Sequence, residues 1–276
     1  MNPAFTMQFQ YNKVLLIGAT SGIGYALAER MLTTGTKVII AGRRKERLDE
    51  LVSKHGEDKA FPSVFDISEL SKIPAWASSI TKEHPDLDCV VLNSGIQRAY
   101  NFAKPETVNL EQINEEMTTN YLSFVHLTTA FLPHMQAQKA HTSLIYVSSG
   151  LALVPYPRAL NYSATKAALH HFLLSLRIQL KSGPGNVKII EIFPPAVQTE
   201  LHNTKHQPDI PNDAGAKFGM PLDEFIDETW KGLQTGDEHI FVGDLPKHAG
   251  QGFEAERQKI FMKIFGGGDP VGLGKE

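Results

Sequence analysis

A hydroxyl, a phenol and an ammonium stand close together near the middle of the chain: Tyr162 follows Ser149 by 13 residues and precedes Lys166 by 4. On a helix, positions i and i+4 share one face about one turn apart, so Tyr162 and Lys166 are placed to act together. A neighbouring ammonium favours the phenolate, which predicts a Tyr162 pKa below its reference of about 10. A phenol so tuned can serve as a general acid or base. Tyr and Lys at this spacing are common on exposed helix faces. The pair gains chemical meaning from Ser149 and from a glycine-rich turn far upstream.

That turn is Gly18-Ala-Thr-Ser-Gly22-Ile-Gly24, entered from an apolar strand candidate and followed by a helical pattern. Glycines let a backbone turn sharply and approach a pyrophosphate, while the helix N-terminus offers free N–H groups and partial positive charge. Gly18, Thr20, Ser21, Gly22, Ile23 and Gly24 are therefore candidate dinucleotide-binding residues. The second strand ends in Ala41-Gly42-Arg43-Arg44-Lys45, with no carboxylate for an adenosine 2′-hydroxyl. Three cations at a helix N-terminus conflict with the macrodipole, and an anionic partner relieves that conflict. The pattern predicts NADP (NADPH), with Arg43 as the principal 2′-phosphate ligand, Arg44 beside it and Ser21 as a second donor. A solvated basic turn balanced by Glu46, Asp49 and Glu50 is the alternative.

The elements that must position these groups follow a regular rhythm. β-branched runs at Lys13–Ile17, Lys37–Ala41, Ala60–Phe65, Asp88–Leu92, Ser143–Ser148, Val187–Phe193 and His239–Val242 alternate with helical stretches. The helices are expected at Gly22–Thr34, Arg44–His55, Glu69–Glu83, Leu110–Gln138, Tyr162–Lys181, Leu222–Leu233 and Gly252–Phe265. Such alternation predicts an α/β fold: a single doubly wound Rossmann-type domain, its parallel sheet of about seven strands covered by helices on both faces. Ligands then bind at the carboxyl ends of the strands. The domain is expected over 13–265, after an extension at 1–12 and before a flexible tail at 266–276. Within it, the polar stretch at about 196–221 reads as a substrate lid.

Composition narrows the functional classes. The chain has 276 residues, a formal net charge of −3 and a hydrophobic share of 42%, which suits a soluble domain with a sizeable core. This balance gives no reason to propose nucleic acid or a membrane as partner. The single cysteine, Cys89, excludes an internal disulfide and fits a reducing, cytoplasmic setting. No apolar run reaches the roughly 18 residues of a membrane span. Among 11 histidines, His202 and His206 have i, i+4 spacing without a clear third ligand, so no metal is expected. His170 and His171 are expected at the helix surface or a subunit contact.

Taken in order, the Gly18–Gly24 loop, Asp66-Ile67, Leu92-Asn93-Ser94-Gly95, Asn120, Ser149, Tyr162 and Lys166 resemble the short-chain dehydrogenase/reductase family over roughly Lys13 to Thr199. The resemblance implies that Tyr162 exchanges a proton with the substrate oxygen while hydride moves at nicotinamide C4, with Ser149 bonding that oxygen. It implies that Lys166 holds the nicotinamide ribose and lowers the Tyr162 pKa, and that Asn120 positions a water leading to solvent. Asp66 and Ile67 are expected near adenine, Asn93, Ser94 and Gly95 at the ribose, and Pro194, Val197 and Thr199 at the nicotinamide side.

Three positions depart from the family pattern: Ile17 replaces a common Thr, Ser94 a common Ala, and Pro194-Pro195 the usual Pro-Gly. The second proline removes a donor and stiffens that turn; this variant resembles a subgroup often labelled DltE-like. Leu151, Leu153, Pro155, Tyr156, Val197 and Phe218 are expected to form an apolar substrate pocket with Gln97 and Arg98 at its rim. The reading is an NADP(H)-dependent oxidoreductase acting on a small carbonyl or alcohol. A redox-neutral epimerase or dehydratase, or a non-catalytic NADP-binding regulator, are the alternatives. The Tyr162 helix is apolar around much of its circumference, and with Tyr121–Leu132 it suggests a homodimer, or a homotetramer built from such pairs.

Overall fold

Strands form where β-branched residues can be buried on both faces, and in the computed structural model they do. The structure describes residues 9, 11–204, 207 and 217–266. Its strands are β1 (Lys13–Ile17), β2 (Lys37–Gly42), β3 (Ala60–Val64), β4 (Cys89–Leu92), β5 (Thr142–Val147), β6 (Val187–Phe193) and β7 (His239–Phe241). They make one sheet of seven strands in the order β3-β2-β1-β4-β5-β6-β7, every neighbouring pair parallel.

The period of two sorts side chains between two layers. Val14 and Leu16 of β1 face helices α1 (Gly22–Thr33), α2 (Lys45–His55) and α7 (Leu222–Thr235). Leu15 and Ile17 face α3 (Ile73–Glu83), α5 (Ser123–Ala137) and α6 (Leu160–Lys181). β1 pairs with β2 on one side and β4 on the other, so the chain reverses direction across the sheet there. This is the switch point where the carboxyl ends of the strands open a crevice.

One predicted helix is two. The span expected to run from 110 to 138 consists of α4 (Leu110–Met117) and α5, joined by a π-helical turn at Thr118–Leu122. Ser123 N–H reaches back to Thr118 O, while its hydroxyl donates to Thr119 O at 2.7 Å. Such an insertion re-aims side chains within an otherwise continuous helix. Asn120, at its centre, is fully buried.

The breadth of the apolar face on α6 has an explanation within one chain. Leu169, Leu173 and Leu176 pack in the sheet layer, and Leu174 and Ile178 are also buried. A second subunit is not needed to cover them.

The described residues end with α8 (Asp244–Ala249), a π-helical turn at Gly250–Glu254, and α9 (Ala255–Phe265). Two residues ahead of β1 touch the body, with the Phe9 ring 4.9 Å from the Trp230 ring and Tyr11 Oη donating to Ser143 Oγ at 2.6 Å. Most of the expected extension, most of the centre of the expected lid, His206 and the tail from 267 lie outside the described residues. At the two ends of the stretch expected to be a lid, Met220 N–H donates to Ala196 O at 2.8 Å and Gln198 N–H to Met220 O at 2.9 Å.

Candidate active site

A cleft of about 1040 Å³ runs along the carboxyl ends of the strands from Arg43 to Phe218. Gly18, Thr20, Ser21, Gly22 and Ile23 line one end. Gly18 and Gly22 have positive φ, 89° and 53°, which admits glycine without the strain a Cβ brings. Gly24 lies behind the cleft instead. A Cβ there would stand 2.1 Å from Gly18 O and 2.4 Å from Asn93 Nδ2, so its role is to let α1 approach β1 and β4. Asn93 Nδ2 secures the same turn, donating to Gly18 O at 3.1 Å.

The basic turn divides its labour. Arg44 donates to Thr20 O and Glu200 Oε2, each at 2.9 Å, and so ties the glycine loop to the segment after β6. Arg43 remains largely exposed, 3.7 Å from Asp66 Oδ2. Burial would raise the Asp66 pKa, but hydrogen bonds from Ser68 and the charge of Arg43 outweigh it and hold the carboxyl below its ordinary value. Arg43, Asp66 and Ile67 line the same wall. Glycine loop, helix N-terminus and exposed guanidinium together fit a phosphorylated dinucleotide.

At the inner end, Ser149, Tyr162 and Lys166 meet. Ser149 leaves β5 in extended conformation, its Oγ accepting Leu151 N–H at 3.1 Å. Tyr162 and Lys166 project from one face of α6, as their spacing predicts. Lys166 is buried, its Nζ donating to Val147 O at 2.9 Å and lying 5.5 Å from the Phe124 ring. Burial lowers its pKa to about 8, against an opposing effect of Glu191.

The expected depression of the Tyr162 pKa is not found. Burial pushes the phenol well above its ordinary value; hydrogen bonding with Ser149 opposes this, and the charge of Glu116 adds to it. Lys166 directs its donor to Val147 rather than to the phenol. In this arrangement Tyr162 is a protonated acid.

Asn120 supports the site from behind. Its Oδ1 accepts Ile96 N–H at 2.9 Å, and its Nδ2 donates to Ile96 O at 2.8 Å and to Thr165 Oγ1 at 3.2 Å. This amide clamps the loop after β4 to α6, keeping Asn93, Ser94 and Gly95 along the cleft. Pro194, Val197 and Thr199 line the opposite wall. Pro194 O accepts Gly150 N–H at 2.8 Å, which couples the Pro-Pro turn to the Ser149 turn.

The end of the cleft expected to be an apolar pocket carries more polar groups than its sequence suggests. Leu151, Pro155, Tyr156, Val197 and Phe218 line it, as does Gln97. Leu153 instead packs with Phe193 and Ala249, and Arg98 turns to Glu115 at 2.6 Å. Unanticipated polar residues fill a corner. Gln207 Nε2 donates to Gln97 Oε1 at 2.9 Å, Arg158 donates to Gln207 Oε1, and His202 closes the group. Burial, with the charge of Arg158, lowers the His202 pKa. Their separation along the sequence hid this grouping.

His170 corrects another expectation. It is fully buried rather than at the surface, with Nδ1 2.8 Å from Glu191 Oε2 and Nε2 3.0 Å from Glu254 Oε1. Only its neighbour His171 faces outward, against Arg257.

The chain is similar to known proteins. A family model described as short chain dehydrogenase matches residues 12–209. The uncharacterized oxidoreductase DltE of Bacillus subtilis is 35% identical over 235 residues, covering 85% of this chain and 89% of that protein. The NADP-dependent 3-hydroxy acid dehydrogenase YdfG of Escherichia coli K12 is 32% identical over 197 residues, covering 71% and 77%. Among solved structures, a short chain dehydrogenase from Burkholderia cenocepacia in complex with NADP superposes with a TM-score of 0.73 at 25% identity, covering 94% of this chain and 99% of that one.

Proposed function

Because this chain belongs to the short chain dehydrogenase family, we propose that it is an NADP(H)-dependent oxidoreductase interconverting a carbonyl and an alcohol on a small organic substrate. The observation that carries this reading is the meeting of Ser149, Tyr162 and Lys166 at the inner end of the cleft that begins at the glycine loop. Bound NADPH would supply hydride to the carbonyl carbon. Tyr162, kept protonated by burial, gives its proton to the developing alkoxide, and Ser149 Oγ–H donates to the same oxygen. Lys166 contributes positive charge and a ribose ligand.

Exposed Arg43 and the lack of an acidic residue at the end of β2 support a 2′-phosphate, as does the NADP dependence of the YdfG relative. Leu151, Pro155, Tyr156 and Phe218 receive the apolar body of the substrate, and the Gln97–Gln207 pair faces its polar end.

A panel of ketones, aldehydes and hydroxy acids assayed with NADPH and NADH tests the proposal. Carbonyl-dependent loss of reduced-nicotinamide absorbance, stronger with NADPH, is expected. Product formation with no net change in nicotinamide would favour a redox-neutral isomerisation or dehydration. Tight NADPH binding without turnover on any member would favour a regulator.

A further inference from the structure

Beneath Lys166 lies a buried charged cluster that the proposed proton transfer does not use. His170 stands one helical turn beyond Lys166 on α6. It bridges Glu191 of β6 and Glu254 of the turn before α9. Arg177, further along α6, brings Nη2 to 3.9 Å from Glu191 Oε2 and Nη1 to 2.8 Å from His239 Nε2 on β7. Glu191 is fully buried. Its Oε1 has no hydrogen-bond partner among the described residues, a costly state for a carboxylate with no further task.

Strand register shows which layer Glu191 enters. Tyr146 of β5 is level with Glu191, and the next residue, Val147, supplies the carbonyl that accepts Lys166 Nζ. Ile190 and Ile192 pack in the layer of α1 and α7, whereas Ile189 and Tyr146 pack in that of α6. Alternation therefore directs Glu191 into the layer of Lys166.

The other groups around the ammonium are the Val147 carbonyl, the Phe124 and Tyr162 rings, and the loop at Gly95 with Asn120. None is a carboxylate, and the charge of Glu116 acts on Tyr162 instead. Around Glu191 stand His170, Arg177 and His239, with Glu254 and Glu238 beyond them.

We propose that Glu191 is a positioning residue for the active site: its buried carboxylate, braced by His170 and Arg177, is the counter-charge that keeps Lys166 an ammonium at the inner end of the cleft. Burial works against that charge, and Glu191 restores part of what burial removes. Its effect on turnover rests on the oxidoreductase reading, whereas the pairing itself is a property of the cofactor-free chain.

NMR titration of lysine side-chain methylene carbons in the cofactor-free protein tests the pairing, with Lys166 assigned by Lys166→Arg. Glu191→Gln should lower the Lys166 midpoint by about one pH unit, a tenfold loss of proton affinity. Glu254→Gln disturbs the same cluster from the far side of His170 and should move it by less than about 0.3 units. In the unmodified protein the Glu191 carboxyl carbon should show an inflection at the Lys166 midpoint, distinct from that of the adjacent His170 and lost in Lys166→Arg, because coupled groups report each other's charge. That arm decides the matter even if Glu191→Gln does not fold.

An unchanged midpoint in folded Glu191→Gln, equal shifts in both variants, or a Glu191 titration curve that is the same with Lys166 and with Lys166→Arg would overturn the proposal. With an active substrate, Glu191→Gln should also move the alkaline limb of kcat/KM to lower pH. Failure to find any substrate would count against the oxidoreductase reading and leave the titration result standing.

Discussion

Replacing Asn120 tests whether one buried amide holds the cofactor wall in place. Its side chain makes three hydrogen bonds, two to the backbone of Ile96 and one to Thr165, at 2.9, 2.8 and 3.2 Å. Asn120→Ala removes all three and leaves polar groups facing a small cavity. A lost bond costs about 1 kcal/mol, and a group left unpaired in the interior costs about 1–3 kcal/mol. Ile96 is half-buried, so water recovers part of that cost, and a net loss of about 3 kcal/mol follows. At an m of about 3 kcal/mol/M, the urea midpoint falls by about 1 M with m unchanged.

Asn120→Asp sharpens the test, since it keeps the acceptor for Ile96 N–H but sets an oxygen against Ile96 O. It should be at least as damaging at neutral pH and recover in acid as the carboxylate gains a proton. A midpoint within about 0.3 M of wild type for Asn120→Ala would refute the clamp.

Three further outcomes follow from the geometry. Arg43→Ala should weaken NADPH binding about 10- to 100-fold while leaving NADH within about twofold, by calorimetry; equal losses would refute the 2′-phosphate assignment. Gly24→Ala sets a methyl 2.1 Å from Gly18 O and should lower both thermal stability and NADPH affinity, so a wild-type melting curve would contradict the packing. Histidine NMR should place the His170 midpoint near 9, raised by Glu191 and Glu254 against the effect of burial. Its contribution to stability is then whole below about pH 6.5 and is lost as pH rises through about 9; a midpoint below about 7 would contradict the bridge.

The sequence made the sheet legible because both faces of its strands are buried, so β-branched runs needed no further context. It also made the cleft legible, since glycines, basic turn and the Ser149-Tyr162-Lys166 spacing are local patterns. What it hid depends on distance. The π-helical turn at Asn120 is invisible to helical periodicity, because one inserted residue barely alters an apolar pattern. His170 sits beside His171 on a helix with little one-sidedness, and its partners Glu191 and Glu254 come from remote segments. The Tyr162 pKa misled for a related reason: spacing reveals the ammonium one turn away, while burial, which dominates here, is a property of the assembled layers.

The comparison of Tyr162→Phe with wild type addresses the central claim most directly. Removing one oxygen deletes the proton donor and leaves the ring, the cleft walls and Lys166 in place. NADPH-dependent reduction of the best carbonyl substrate should fall in kcat by about 100- to 10,000-fold, with NADPH affinity within about twofold of wild type. A folded Tyr162→Phe protein that binds NADPH and retains wild-type turnover would contradict the account.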